Sequence, residues 1–489
     1  CFNLSTSSMY HTTNATASTA DMNMISNLIV NTSTPNGTGI TSAYRRSSTT
    51  LTNYGNTSNN NCFYAGTPGS ANLIFYDGTN SDQNISTYKT RVSPRDASSQ
   101  TENVVGKFLS TSGASANFLH MDPAQATQLE SGGLTVSGIV DDYDGNARYP
   151  NVGFPVNPTY PPTAPDVGAD EFGGIPADLT GPTINYTVFS NTSSTGNRSL
   201  VATITDAGVV QTGANGPRLY YKKSTDPSYI FDNAPSVLGD DYTFTLNTGT
   251  LGGVTTGTII QYYVAAQDIS ANSTTNPSGG IGSNPPGTTP PGAPNTYTVL
   301  PSLSGVYTVG TGGDYGNLTA VANAINPTNA AITGHTWFEL LSTYNSASET
   351  YPIVFSQFIG DWNVTIFPQT GVVGRITEGD PGTGNPLIDL DGIDRLILDG
   401  RQGGFGSNEW LIRNTRTTAT IGPVIRLIND AQGNTLRYLQ IEGQNTTTTS
   451  GLILLSTSTG TGGNTSNVIT NNTIRDRTDA LGVPANCIY

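Results

Sequence analysis

The sequence predicts an all-β protein. Three observations carry this: a polar vocabulary of neutral side chains, two blocks of short apolar runs with Asn, Gly and Asp at their corners, and a block of alternating strands between them. Charged residues make up 11% of the 489, against about a quarter in ordinary domains. Gly (56) and Pro (29) are plentiful, and hydrophobic residues still supply 35% for a core. Such a chain folds, with solubility resting on hydroxyls and amides and with frequent turns. Its length suggests about three domains.

Residues 304–489 open with a helical signal. Leu318, Val321, Ala322 and Ile325 fall at i, i+3, i+4 and i+7, one apolar face of a helix near 317–326. Asn317 is placed to cap it, and Pro327 stops it. Short runs follow: "TWFELL", "NVTIFP", "PLIDLDGIDRLILDG", "PVIRLI", "TLRYLQIEG", "GLILLS" and "NVITNNTI". Irregular spacing with turn residues at the corners suits the first part of a parallel β-helix, whose coils stack one on the next. A β-sandwich or jelly roll is the alternative. Recurrent Asn beside apolar residues favours the solenoid, since stacked Asn side chains can ladder along corners. A lone amphipathic helix ahead of the first coil would then cover the exposed end of the core.

Residues 1–174 use the same vocabulary. "MNMISNLIVNTST" (22–34) reads as a coil strand with Asn at its corner, and the block ends in "GLTVSGIVDDYDGNARYP" and "APDVGADEFGG". Residues 175–303 differ: "INYTVFS", "RSLVATITDA", "PRLYYKKS", "DYTFTLNT", "GTIIQYYVAAQD" and "NTYTVL" show apolar alternation between turn-rich loops. That pattern indicates an Ig-like β-sandwich. "GSNPPGTTPPGAPN" (282–295) reads as a stiff loop before its last strand, or else as a linker. In the pairs Tyr220-Tyr221 and Tyr262-Tyr263, one ring of each is expected to face the core.

Several of these stretches resemble one family. "YTVGTGGDYGNLTAVANAI" resembles the opening of a β-helix in the large repetitive surface proteins of Gram-negative bacteria that use type IX secretion. "LDGIDRLILDG" resembles an early coil of such modules, "VDDYDGNAR" with "PDVGADEFGG" their closing segment, and "LYYKKS" with "IIQYYVAAQD" the Ig-like module that follows. The resemblance implies right-handed parallel β-helix portions flanking an Ig-like β-sandwich, in a noncatalytic, adhesin-like protein outside the cell. It also implies that the chain is a window from a tandem array: the end of one solenoid, a complete sandwich and the start of another. Its partners would be further copies of similar modules in the same chain or fibre, and surface glycans.

Composition excludes other classes. The net charge is −15, from 35 acidic and 20 basic residues, with no basic stripe, which argues against a nucleic-acid partner. No apolar run approaches the roughly 18 residues needed to span a bilayer, so no membrane insertion is expected. Three cysteines (Cys1, Cys62, Cys487) make no disulfide framework or C-x-x-C pair.

The best catalytic candidates are Asp389 and Asp391. On an extended strand they share a face, with Cα atoms about 6.6 Å apart. Inverting glycoside hydrolases place their carboxylates roughly 6.5–9.5 Å apart, which makes a polysaccharide-cleaving enzyme the alternative function. A carbohydrate-binding module is the third. Asp391-Gly392 and Asp399-Gly400 also read as coil corners, and that reading is preferred. Asp141, Asp142 and Asp144 partly match a Ca2+ loop but lack its full spacing and terminal Glu. A structural clasp, Arg148 paired with Asp166, Asp170 or Glu171, is preferred there, because a guanidinium fork matches a carboxylate. His11, His120 and His335 are isolated in sequence and offer little support for a His-based metal site or triad. No cofactor is therefore expected.

Overall fold

The computed structural model describes residues 7–12, 21–234, 236–418, 420–479 and 482–489. It is an all-β chain containing a β-solenoid, and it divides into two compact units, residues 1–179 and 180–489. Among the described residues no helix is long and apolar enough to cross a membrane.

In the second unit, residues 302–489 wind through three parallel sheets. The first stacks Ser302–Val309, Ala331–Leu340, Val364–Pro368, Leu396–Asp399, Thr435–Arg437 and Val468–Thr470 as successive rungs. The second stacks Ile353–Ser356, Ile388–Asp391, Ile425–Ile428 and Ile453–Leu455. Arg375–Gly379, Trp410–Asn414, Gln440–Gly443 and Thr473–Asp476 form the third. Parallel pairing of every rung is what a solenoid requires and a sandwich or jelly roll does not offer. The inward residues of all three sheets, among them Phe338, Ile366, Leu390, Leu398, Trp410, Leu427 and Ile441, merge into one buried core.

The helix Leu318–Ile325 presents Leu318, Val321, Ala322 and Ile325 to that core. Asn317 Oδ1 accepts from the Ala320 N–H at 2.8 Å, which satisfies one of the otherwise orphaned first-turn donors. Two more, on Leu318 and Thr319, donate to the Glu349 carboxylate at 2.6 and 2.7 Å.

The corners use Asn and Gly for separate reasons. Asn434 N–H and Nδ2 both donate to Asn467 Oδ1 one coil on, at 2.9 and 3.1 Å. Gly392 turns with φ +68°, a conformation that costs a side-chain-bearing residue more than glycine. At Gly400 the constraint is space, because a Cβ there would lie 1.9 Å from the Tyr438 carbonyl oxygen.

Residues 183–298 form nine strands in two antiparallel sheets. One runs Ser236–Leu238, Asp241–Leu246, Arg198–Thr205, Thr183–Tyr186; the other is built on Ile259–Gln267, flanked by Arg218–Lys223, Ser273–Asn276 and Asn295–Thr298, with Ile230–Asn233 outermost. Leu200, Ile204 and Phe244 of one sheet and Leu219, Tyr262 and Val264 of the other share a core. As expected of the tyrosine pairs, one ring of each, Tyr221 and Tyr262, faces this core. All four rings are buried, because Tyr220 and Tyr263 stack 4.9 Å apart on the outer face beneath the Pro/Gly-rich loop. Their hydroxyls donate to the Pro286 and Gly287 carbonyls at 2.9 and 2.8 Å, so that segment is a cover for the sheet.

In the first unit, Ser7–His11, Thr41–Arg46 and Asn72–Tyr76 pair in parallel, as do Leu28–Val30 and Cys62–Tyr64. Asn27 N–H donates to Asn61 Oδ1 at 2.9 Å, the same corner ladder. Tyr44, Tyr54, Phe63, Phe75 and Tyr88 fill the core. From residue 100 to 174 the backbone is mostly irregular, and Ile175–Pro176 then pairs with Ala126–Thr127, beyond the expected boundary at 174. Cys62 and Cys487 are free, and Cys1 lies outside the described residues.

Candidate functional site

Asp389 and Asp391 stand on the outward face of the Ile388–Asp391 strand, while Ile388 and Leu390 point into the core. Parallel register places Arg426 directly beside Asp389 on the next rung. Its guanidinium grips the carboxylate at both oxygens, Nε to Oδ1 at 2.9 Å and Nη2 to Oδ2 at 2.6 Å, in a planar fork. The bond from Asp389 holds the Arg426 pKa above its ordinary value. Asp391 accepts from Asn429 Nδ2 at 2.6 Å. Both carboxylates are thus engaged by the next coil.

The same use of charge recurs. Glu378, Arg413, Glu442 and Arg475 occupy aligned positions on four consecutive rungs of the third sheet. Arg413 lies 3.3 Å from Glu378 and 2.7 Å from Glu442, and Arg475 pairs with the other Glu442 oxygen. Asp399, fully buried, receives Arg401 and Arg437, each at 2.8 Å. Sequence reasoning missed these ladders because their members are roughly one coil apart, a separation that only the coil length could have disclosed.

In the first unit, the acidic residues of "APDVGADEFGG" do work that its irregular backbone creates. Buried N–H groups outside regular structure need acceptors, and carboxylates supply them. Asp166 accepts from Ser131 and Phe172 N–H, both at 2.7 Å; Glu171 accepts from Tyr149 N–H at 3.0 Å and Asp166 N–H at 3.1 Å; Glu130 accepts from Gly174 N–H at 2.7 Å. Burial, reinforced by the Glu130 charge, pushes the Asp166 carboxyl up to about 8, against the lowering pull of its two N–H donors.

Arg148 sits at this knot. Its Nε lies 3.2 Å from Glu171, while its two terminal nitrogens donate to the Asp166 carbonyl at 2.6 Å and the Gly168 carbonyl at 3.0 Å. Of the three carboxylates expected as partners, Glu171 is the one Arg148 meets, and those of Asp166 and Asp170 are engaged elsewhere. Asp166 meets Arg148 through its backbone, since its side chain is taken by amides, and Asp170 points elsewhere.

The Asp141, Asp142 and Asp144 carboxylates do not converge as in a Ca2+ loop. Asp142 accepts from Asp144 N–H and Asn146 N–H at 2.9 and 2.8 Å, closing a tight turn. Asp141 forms a backbone bridge to Ala147. Asp144 instead reaches His120, whose Nε2 is 3.3 Å away, and His120 Nδ1 lies 3.4 Å from Asp170. His120 is therefore not isolated in space, in contrast to its place in the sequence. These three side chains, on segments 24 and 26 positions apart by their numbering, could hold a metal ion. A cleft of about 310 Å³ opens on them, walled by Phe108, Phe118, Met121 and Tyr143.

Compared with known proteins, the chain matches no family model and no curated sequence.

Proposed function

We propose that this chain is a noncatalytic structural and adhesive repeat segment of a large extracellular protein. One observation carries the reading: the outward charged residues of the second solenoid are spent on rung-to-rung ladders rather than left free for chemistry. A parallel stack joined by backbone ladders, Asn corners and alternating charges makes a stiff body. The two-sheet module between residues 183 and 298 acts in this reading as an Ig-like joint, and the solenoids as right-handed β-helix rods. In this reading, which the resemblance of its sequence motifs to type IX-secreted adhesins supports, the chain stands at the surface of a Gram-negative bacterium, with similar modules and surface glycans as partners.

The competing reading is a polysaccharide-cleaving enzyme using Asp389 and Asp391, which share an outward face. Incubating the chain with a panel of neutral and acidic polysaccharides separates the two. We expect no depolymerisation; cleavage by the native chain that disappears in Asp391→Asn would replace the structural reading with the enzymatic one.

A further inference from the structure

We infer that His120, Asp144 and Asp170 form a binding site for a first-row divalent transition ion, with Zn2+ as the representative. This goes beyond the structural reading and does not depend on it. The three ligand atoms lie within 4.8 Å of one another, with Asp144 facing His120 Nε2 at 3.3 Å and Asp170 facing Nδ1 at 3.4 Å. Ligands bound at about 2.0–2.1 Å in a tetrahedral shell sit about 3.3 Å apart, and an imidazole gives an ion one nitrogen, so Nδ1 and Asp170 already have that spacing while the exposed Asp144 side chain must swing in to complete the set. The remaining position would face the cleft and be open to water.

Charge balance supplies a second argument. Asp142, Asp144 and Asp170 crowd this corner. The facing groups that could neutralise them are few. Arg148 is committed to Glu171 and to two backbone carbonyls, which leaves a single imidazole against three carboxylates. A divalent cation resolves that excess.

The framework is also held in place before any ion arrives. Asp170 Oδ2 accepts from Met121 N–H at 2.9 Å, which turns Oδ1 toward the ring. Tyr143 N–H donates to the Ala169 carbonyl at 2.9 Å, and Glu171 N–H to Asp142 at 3.2 Å, so the turn bearing Asp144 is fastened to the strip bearing Asp170. Imidazole with two carboxylates is a donor set for Zn2+, Ni2+ or Co2+, whereas Ca2+ takes six to eight oxygens. A bound ion would tie three separate segments of the closing region together.

Isothermal titration of the chelator-stripped 489-residue chain with Zn2+ alone tests the assignment. We expect one ion bound per chain, at least tenfold weaker binding in His120→Ala, and Ca2+ at least tenfold weaker than Zn2+. Asp144→Asn guards against misfolding, because the Asp144 side chain is 37% exposed; it should also lose at least tenfold, and the Zn2+-dependent rise in melting temperature with it. Absence of binding by the native chain, undiminished binding in both variants, or Ca2+ binding as tightly as Zn2+ would each overturn the site.

Discussion

Asp166 shows how one residue of the closing segment can make its stability respond to pH. The carboxyl is buried among Glu130 and Glu171, and its pKa is about 8 in the folded chain, against about 3.9 in an unfolded one. A pKa raised by folding means the folded state binds the proton more tightly. The stabilisation is therefore complete below about pH 4 and is lost as pH rises toward 8. Glu130, whose pKa burial also raises, acts in the same direction. Amide protection at Val167 and Phe172, measured without added metal and corrected for intrinsic exchange, should fall from pH 5.5 to pH 8.5. Asp166→Asn should lower protection throughout, because one N–H acceptor is lost, and should flatten the slope. A native profile independent of pH, or an unchanged slope in the variant, would contradict this account.

At the scale of elements, the Leu318–Ile325 helix was legible in its sequence because its information is local: four apolar residues on one face, an Asn before them and a Pro after. Eight residues are too few for a helix to stand alone in water, so burial and capping hold it. Asn317→Ala should cost about 1 kcal/mol in urea unfolding, while Asn317→Asp, which keeps an acceptor, should be near neutral. Equal losses in the two variants would show that the cap bond contributes little. What the sequence did not disclose is non-local. Glu349 reaches the helix N-terminus from the next coil, and Arg426 meets Asp389 from one rung away. His120 finds its carboxylates only after the irregular 100–174 stretch has folded back on itself. Three short strands, Ile230–Asn233, Ser236–Leu238 and Ser273–Asn276, also escaped notice, since they are largely polar or exposed and carry no apolar alternation.

For the second unit as a whole, the stacked rungs imply that energy is shared between neighbours and little beyond them. Leu398 lies fully buried midway along the first sheet, paired to Ile366 on one side and Leu436 on the other. Leu398→Ala removes side-chain volume that rigid neighbouring coils cannot fully reclaim, and should cost about 2–5 kcal/mol. If the solenoid behaves as a one-dimensional stack, the loss of amide protection will be largest at Ile366, Leu398 and Leu436 and will decay along the rungs on both sides. Leu200 and Val264, in the separate core of the two antiparallel sheets, should keep their protection. A uniform loss reaching those two residues would mean that solenoid and sheets unfold as one cooperative body. That outcome would remove the physical basis for treating them as serial modules, whereas a graded loss would show coils that can be added without altering those already folded.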